Sequence, residues 1–242
     1  MSDLRPLDLK SESAKSVGYW EHRYRVGRDS GKGSIGAARD WKWSIIEAHG
    51  GSTAEVLDVG CGDLRFWGDR GCPDYLGLDV SWSVLRRNRE RRPSWQFIRV
   101  PASARLRVRR RVVLCFDLLF HIMDEAEYDS IIDNLIAYTE EWLFIHTWSR
   151  NPFVSLRRRA WLALSPHEEA GSRALRLLRF PFRFARILRR PPPTSDGEYE
   201  TFRPLEKDLP RFEAGGLHLE GIVPSPVPPR VGGLYVFRRV AR

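Results

Sequence analysis

The sequence predicts a doubly wound α/β domain with a mainly parallel sheet, and three observations lead to this fold class. From Glu55 to Trp148, short apolar runs alternate with stretches of helical periodicity, a pattern typical of strand–helix–strand units. The run Val112–Phe116 is apolar throughout, as expected of a central strand covered on both faces. A Gly-Cys-Gly turn at residues 60–62 follows the first apolar run, at the edge where such sheets bind ligands.

Seven strands are predicted in chain order. The first five are Glu55–Val59, Tyr75–Asp79, Trp95–Val100, Val112–Phe116 and Trp142–His146. Two later strands, Leu217–Val223 and Leu234–Val240, follow an Arg-rich segment that interrupts the alternation. The chain is expected to form a single domain over residues 1–242.

A glycine-rich turn and a helix are predicted before the first strand. In the lead-in, residues 17–50, the turn SGKGSIG at residues 30–36 precedes a helix that extends toward Ala48. Gly50 and Gly51 end this helix, because glycine commonly follows a last helical turn. After the Gly-Cys-Gly turn the chain is again expected to enter a helix.

The helix predicted after the fourth strand has the clearest pattern. Its apolar side chains recur at i, i+3, i+4, i+7 and i+8, and they are Tyr128, Ile131, Ile132, Leu135 and Ile136. Asp124, with Glu127 three residues later, resembles a capping box at the start of this helix. The pattern predicts an amphipathic helix between the fourth and fifth strands.

Composition and cysteine usage exclude several classes of protein. The hydrophobic fraction of 42% and nine tryptophans indicate a folded globular protein. Cys61, Cys72 and Cys115 are too few and too irregularly spaced for a disulfide framework or a zinc site, so we expect no metal and a cytoplasmic location. Residues 1–16 are polar and charged, unlike a secretory signal, and no apolar run approaches the roughly 20 residues that span a bilayer.

The protein is strongly basic, with a net charge of +9 and a pI of about 9.9. An anionic partner is one interpretation of this charge. Arginine supplies most of it, since lysine occurs only at positions 10, 15, 32, 42 and 207. A skew toward arginine also follows from genomic base composition, so the charge alone leaves both interpretations open.

The strongest chemical signal is the segment VLDVGCGD at residues 56–63. Gly60 and Gly62 let the backbone pass close beneath a ligand, because a Cβ atom would collide with it. Arg65 stands where a dinucleotide-binding motif has its third glycine, which disfavours a pyrophosphate cradle. Asp79 ends the second predicted strand, where a carboxylate can accept hydrogen bonds from both hydroxyls of a ribose.

These two segments resemble motifs of the class I S-adenosylmethionine-dependent methyltransferases. Residues 56–63 are similar to the glycine-rich first motif of this superfamily, and YLGLDVS at residues 75–81 is similar to the second. The lead-in, YWEHRY at residues 19–24 and SGKGS at residues 30–34, is similar to bacterial members with a YWExRY and SGxGS opening. The resemblance covers residues 17–148 well and the last two strands loosely. It implies a Rossmann-like, seven-stranded sheet with an antiparallel last strand and S-adenosylmethionine as cofactor.

The resemblance also implies a set of cofactor-binding residues. They are Tyr19, Trp20, Arg23, Asp58, Gly60, Cys61, Gly62, Asp79, Val80, Phe116 and Asp117. In this assignment Gly60 and Gly62 underlie the methionine moiety and Asp79 holds the ribose. Many members have an acidic residue after the third strand that binds the adenine amine, but residues 99–103 read RVPAS. Ser103 or backbone groups are therefore expected to replace it.

Three residues near the strand ends are candidate general bases: Asp117, His121 and His146. A methyltransferase must position the acceptor in line with the sulfonium and, for a hydroxyl acceptor, remove its proton. Both histidines lie in apolar runs, so a packed, non-catalytic histidine is the alternative for each.

The Arg-rich segment, residues 149–204, predicts a helical insertion between strands five and six that covers the acceptor. Within residues 173–190, arginines recur every three or four positions and apolar side chains recur on another face, while Pro181 breaks the helix. This basic amphipathic pattern indicates peripheral contact with an anionic membrane. The alternative is that its apolar stripe packs on the sheet.

The leading hypothesis is methyl transfer to a small-molecule or glycan acceptor, which includes a membrane-proximal, lipid-linked one. Some bacterial members with the same lead-in lie beside glycan-modification systems. RNA methylation is an alternative that the charge supports, although no RNA-binding module is recognisable. A non-catalytic protein that binds a cofactor or a partner through the same fold is the second alternative.

Overall fold

A computed structural model of the protein contains one seven-stranded sheet. Its strands are β1 (Glu55–Val59), β2 (Asp74–Asp79), β3 (Gln96–Arg99), β4 (Arg110–Phe116), β5 (Thr139–Trp148), β6 (Leu217–Pro224) and β7 (Gly232–Arg239). The structure describes residues 11–49, 55–153, 194–195, 199–228 and 230–240. The predicted helix-ending glycines, Gly50 and Gly51, and the amphipathic residues 173–190 lie outside these ranges.

The strand order is β3-β2-β1-β4-β5-β7-β6. Strands β1 to β5 pair in parallel, and β7 lies antiparallel between β5 and β6. This confirms a mainly parallel sheet with an antiparallel last strand. β5 is longer than predicted at both ends, because Thr139 pairs with Arg110 of β4 and Trp148 pairs with Gly232 of β7.

Helices cover both faces of this sheet, as a doubly wound fold requires. They are α1 (Ser11–Arg25), α2 (Gly36–Ala48), α3 (Trp82–Arg91), α4 (Glu125–Tyr138) and α5 (Leu209–Ala214). The apolar stripe of α4 packs on the sheet, and the Asp124 carboxylate accepts a hydrogen bond from the backbone N–H of Glu127 at 2.7 Å. The amphipathic helix after the fourth strand is therefore confirmed, with Asp124 as its cap.

The prediction of a helix between β1 and β2 is wrong. Residues 60–73 form a series of turns instead. Gly62, Leu64 and Gly68 have φ angles of 53°, 62° and 55°, in the left-handed region. Three left-handed residues within seven positions cannot continue a right-handed helix. The segment is held by its aromatic side chains, because Phe66 and Trp67 are buried.

The two packing faces differ in composition. The face covered by α2 and α3 is rich in aromatic rings: Trp43 stacks on Phe66 with centroids 4.6 Å apart, and Tyr75 stacks on Trp95 at 4.1 Å. The opposite face, under α4 and α5, is mainly aliphatic. Among the described residues, no helix is both long and apolar enough to cross a membrane.

Candidate active site

A cleft that is open to solvent lies at the carboxyl ends of β1, β2 and β4. The position is the edge of the sheet at which strand order reverses between β1 and β4, where open α/β sheets bind their ligands. The cleft is therefore the candidate active site.

The turn after β1 forms the floor of the cleft. The backbone N–H groups of Gly60 and Cys61 both donate to the carbonyl of Leu78, at 2.8 and 3.0 Å. At Gly62, with its φ of 53°, an added Cβ would lie 2.3 Å from Ser30 Oγ and 3.0 Å from the Tyr24 hydroxyl. Glycine is required here both by the backbone conformation and by the close approach of the lead-in.

Asp79 presents its carboxylate to the cleft from the end of β2. One oxygen accepts the backbone N–H of Gly62 at 3.0 Å, and the other accepts that of Ser81 at 2.9 Å. Each oxygen therefore keeps a further lone pair, so the carboxylate can accept two more hydrogen bonds. Burial raises the pKa of the Asp79 carboxyl to about 6, against the hydrogen bonds that lower it.

Asp58 also reaches the cleft, but its carboxylate serves the protein. One oxygen accepts hydrogen bonds from Trp67 Nε1 at 2.8 Å and from the Tyr75 hydroxyl at 2.9 Å. Burial raises the pKa of Asp58 to about 6, although both hydrogen bonds act to lower it. Asp58 therefore fastens the turns after β1 to β2, which is a different role from the ligand contact predicted for it.

The end of the cleft nearest β3 is apolar. Val80, which follows β2, and Val100 and Ala102, which follow β3, line it, as expected for a surface that packs against a flat aromatic base. Ser103, which was expected to replace the missing acidic residue, is not among the described lining residues, and its hydroxyl donates to Glu127 at 3.4 Å. The apolar wall, rather than Ser103, is thus what this end of the cleft offers a ligand.

The lead-in closes the cleft over the turn after β1 and against Asp117, which follows β4. Ser30 and Asp63 join it to the turn after β1 through three hydrogen bonds: Ser30 N to Oδ2 at 3.2 Å, Ser30 Oγ to Oδ1 at 2.8 Å, and Asp63 N to Ser30 Oγ at 3.0 Å. Glu21 fastens α1 to the start of α3, because its carboxylate accepts Ser81 Oγ at 2.7 Å and Ser83 N at 3.2 Å. These contacts place the lead-in directly over the floor of the cleft.

Only one of the three lead-in residues predicted to bind cofactor is among the described lining residues. Trp20 lines the cleft. Tyr19 stacks on Tyr199 with centroids 4.4 Å apart, at the rim. Arg23 donates through Nε to the carbonyl of Asp29 at 2.7 Å, which holds the loop after α1.

Asp117, which directly follows β4, faces the cleft within a buried charge cluster. Its Oδ2 lies 2.6 Å from Lys42 Nζ and its Oδ1 lies 2.5 Å from His146 Nδ1. Burial would raise the pKa of the Asp117 carboxyl, but the charges and hydrogen bonds of Lys42 and His146 hold it well below its usual range. Such a carboxylate has little affinity for a proton near neutral pH, so Asp117 is unsuited to the role of general base.

The two candidate histidines occupy different environments. His121 lines the cleft, with Trp20 edge-on to its ring at 5.0 Å. His146 lies behind Asp117 and is not among the described lining residues; an added Cβ at Gly232 would lie 2.7 Å from its Nε2. Burial lowers the pKa of His146, although the Asp117 carboxylate acts to raise it. Of the two histidines, His121 is the one that lines the cleft.

Hydrogen bonding defines which nitrogen of His121 can act. Its Nδ1 lies 3.1 Å from the carbonyl oxygen of Tyr199. A carbonyl only accepts hydrogen bonds, so Nδ1 carries the proton of the neutral ring. Nε2 is then the nitrogen with proton affinity.

Sequence analysis missed Lys42, Ser30, Asp63 and Glu21 as site residues. Lys42 lies between two tryptophans and on the same helical face as Ile46, which is buried. A lysine on the buried face of a helix is a signal that it pairs with an acidic group, since a buried charge requires a partner. In the described part of the chain, no group of three His, Cys, Asp or Glu side chains is arranged to hold a metal ion.

Comparison with known proteins supports the fold. No protein-family model matches the sequence, and no curated protein matches it. The structure is similar to 1,6-didemethyltoxoflavin-N1-methyltransferase of Burkholderia thailandensis, solved with its acceptor and S-adenosylhomocysteine, at a TM-score of 0.61 and 17% identity over 98% of this chain and 93% of that one.

Two further solved structures are similar over nearly their whole length. One is magnesium protoporphyrin IX methyltransferase of Synechocystis PCC 6803 with S-adenosylhomocysteine, at a TM-score of 0.57 and 14% identity over 93% of this chain and 95% of that one. The other is the N-methyltransferase NodS of Bradyrhizobium japonicum WM9 with S-adenosylhomocysteine, at 0.57 and 12% identity over 94% and 100%. At these identities the similarity establishes a shared fold, and function must be argued from the site.

Proposed function

We propose that the protein is an S-adenosylmethionine-dependent methyltransferase. The observation that carries this proposal is the convergence of Asp79 with Gly60 and Cys61 on one cleft. Asp79 offers two acceptor positions for the hydroxyls of a ribose, and Gly60 and Cys61 line the cleft beside it. The similar structures solved with S-adenosylhomocysteine support the same assignment.

The residues of the cleft fit each part of this cofactor. Asp79 would hold the ribose, and the apolar wall of Val80, Val100 and Ala102 would pack against the adenine. The methionine part, which bears the positive charges, would then extend past Gly60 toward Asp117. The bound cofactor supplies an activated methyl group on a sulfonium, so the protein has to orient the acceptor and exclude water.

His121 and Trp20 line the part of the cleft beside Asp117, and we assign the acceptor to this part. If the acceptor is a hydroxyl, His121 Nε2 takes its proton. Substituting His121 with Asn should then lower turnover by roughly 10²–10⁴-fold while the cofactor affinity stays unchanged. Unchanged turnover in this variant would mean that the acceptor needs no base, as an amine does not.

We keep a small-molecule or glycan acceptor, including a lipid-linked one, as the proposed acceptor class. The similar structures act on chemically different acceptors, among them magnesium protoporphyrin IX, 1,6-didemethyltoxoflavin and a glycopeptide, as their names state. Peripheral contact with an anionic membrane through residues 173–190 rests on the sequence pattern. Co-sedimentation with anionic vesicles at low salt tests this contact, and failure to sediment would contradict it.

Binding of the cofactor tests the proposed function most directly. Calorimetry should show that the protein binds S-adenosylmethionine, and Asp79→Ala should weaken binding by roughly 10- to 100-fold, because a charge-assisted acceptor of two hydroxyls is lost. Asp69→Ala, which removes an exposed carboxylate outside the cleft, serves as the matched control and should leave the affinity unchanged. Tight binding of NAD without binding of S-adenosylmethionine would contradict the proposal.

A further inference from the structure

We propose that the pair of Lys42 and Asp117 is an oriented charge pair that makes the cleft prefer the positively charged cofactor over its neutral-sulfur product. This inference rests on the proposed function. It adds a specificity role for Asp117 and a positioning role for Lys42, which holds the carboxylate in place without touching the ligand.

Lys42 is buried in a way that is unusual for lysine. Its side chain is only 1% exposed. The ammonium donates to Asp117 Oδ2 at 2.6 Å and to the carbonyl of Gly33 at 3.1 Å, and it lies 5.1 Å from the centre of the Phe116 ring. A buried ammonium needs such partners, because removing its charge from water is costly.

The pair of Lys42 and Asp117 is oriented relative to the cleft. Asp117 lines the cleft, whereas Lys42 is not among the described lining residues. The negative end of the pair therefore faces the ligand and the positive end faces the interior. A ligand cation is attracted by the nearer carboxylate more strongly than it is repelled by the more distant ammonium.

The carboxylate of Asp117 cannot readily turn away from this position. His146 Nδ1 lies 2.5 Å from Oδ1 of Asp117, and the backbone N–H of Asp117 donates to the carbonyl of His146 at 3.0 Å. On a third side the lead-in packs so closely that a Cβ added at Gly33 would lie 2.4 Å from Oδ2. Asp117 thus presents a fixed negative charge.

In the proposed fit of the cofactor, the sulfonium charge, which the product lacks, lies on the side of Asp117. The ribose and adenine lie with β2 and β3, and β4 lies on the other side of β1. Adjacent strands are about 4.8 Å apart, so Asp79 and Asp117 mark two ends of the cleft roughly 10 Å apart. S-adenosylmethionine and S-adenosylhomocysteine share the ribose and the adenine, and they differ by the methyl group and the sulfonium charge. The end near Asp117 is therefore where the two can be told apart.

Affinities for the two compounds, measured side by side by calorimetry, test the inference. Asp117→Asn removes the negative charge and leaves the ammonium of Lys42 unopposed. We expect the affinity for S-adenosylmethionine to fall by roughly tenfold or more relative to that for S-adenosylhomocysteine. Asp79→Asn is the matched control at the ribose end, where both compounds should weaken equally and the ratio should stay at its wild-type value.

A double variant keeps the test decisive where Asp117→Asn folds poorly. Lys42→Met with Asp117→Asn removes both charges. Its preference for S-adenosylmethionine should lie between those of the wild type and Asp117→Asn, because the carboxylate and the opposing ammonium are both gone. If the ratio of the two affinities in Asp117→Asn equals that of the wild type, the inference is overturned but the proposed function stands. The same holds for the double variant if it is the only one of the two that folds. Failure of the wild-type protein to bind either compound overturns the proposed function itself.

Discussion

Asp79 and Asp117 are carboxylates at the same edge of one sheet, and the protein holds them in opposite ways. Asp79 is held by backbone N–H groups of Gly62 and Ser81, which lie close to β1 and β2. Asp117 is held by side chains, those of Lys42 on α2 and His146 on β5.

The two kinds of support shift the pKa values of the two carboxyls in opposite directions. Backbone dipoles without a nearby cation do not compensate for burial, so the pKa of Asp79 rises to about 6. A buried ammonium does compensate, so the pKa of Asp117 falls well below the usual value. The Asp79 carboxyl can therefore exchange its proton near pH 6, whereas the Asp117 carboxyl stays charged. The comparison shows that the same residue type serves as an adjustable acceptor or as a fixed charge, according to what holds it.

The largest expected effect is a difference in protein stability between variants at the two carboxylates. Lys42→Met leaves Asp117 without its cation and should lower the free energy of unfolding by about 3 kcal/mol, as breaking a buried ion pair does. Asp79→Asn should lower it by about 1–2 kcal/mol, because one backbone N–H loses its acceptor but no cation loses its partner. Urea unfolding at pH 7 measures both. Equal losses in the two variants would show that Lys42 and Asp117 do not depend on each other.

A smaller effect tests how the lead-in depends on the floor of the cleft. Gly62 and Gly36 have φ angles of 53° and 54°, but a Cβ meets Ser30 Oγ at 2.3 Å only at Gly62, and nothing lies within 4 Å of one at Gly36. Both alanine variants should lose roughly 1–2 kcal/mol from the left-handed backbone. Gly62→Ala should also displace Ser30 and weaken cofactor binding, whereas Gly36→Ala should bind normally. Normal binding by Gly62→Ala would contradict the close docking of the lead-in.

The smallest effect is a pH dependence to which Asp79 contributes and Asp117 does not. Its raised pKa means that the carboxyl is protonated below about pH 6, where it loses its charge and one acceptor position. Cofactor affinity should therefore rise with pH through this value, by up to roughly tenfold between pH 5 and pH 7. Asp79→Asn should remove this dependence, and Asp117→Asn should retain it, because the Asp117 carboxyl stays ionised throughout this range. Calorimetry at three pH values measures the slope; a slope that persists in Asp79→Asn would assign it to another group.

The sequence predicts that the turn after β1 and Asp79 lie side by side, because the determinants of this part of the cleft are local. Gly60, Gly62 and Asp79 lie at the ends of two adjacent apolar strands, and a parallel sheet brings such ends together. The strands of the sheet were predicted for the same reason, with errors only at their ends. β5 was predicted too short because its outer residues pair with β4 and β7, and such long-range pairing is not visible in an apolar run.

The pairing of Asp117 with Lys42 could not be predicted in the same way, although Asp117 itself was. Lys42 and Asp117 are 75 residues apart in the sequence, and no sequence motif contains both of them. The turns after β1 were predicted as a helix, because the left-handed conformation of Leu64 has no signal in its residue type. Sequence periodicity reports which side chains are buried, but not which of them meet.

The separation between Lys42 and Asp117 also has a consequence for how the chain is made. Ribosomes add about 5–20 residues per second, so roughly 4–15 s pass between the synthesis of Lys42 and that of Asp117. During that time α2 has emerged without the carboxylate that its lysine is to contact. The charge pair can therefore form only after Asp117 has been made and β4 can join β1.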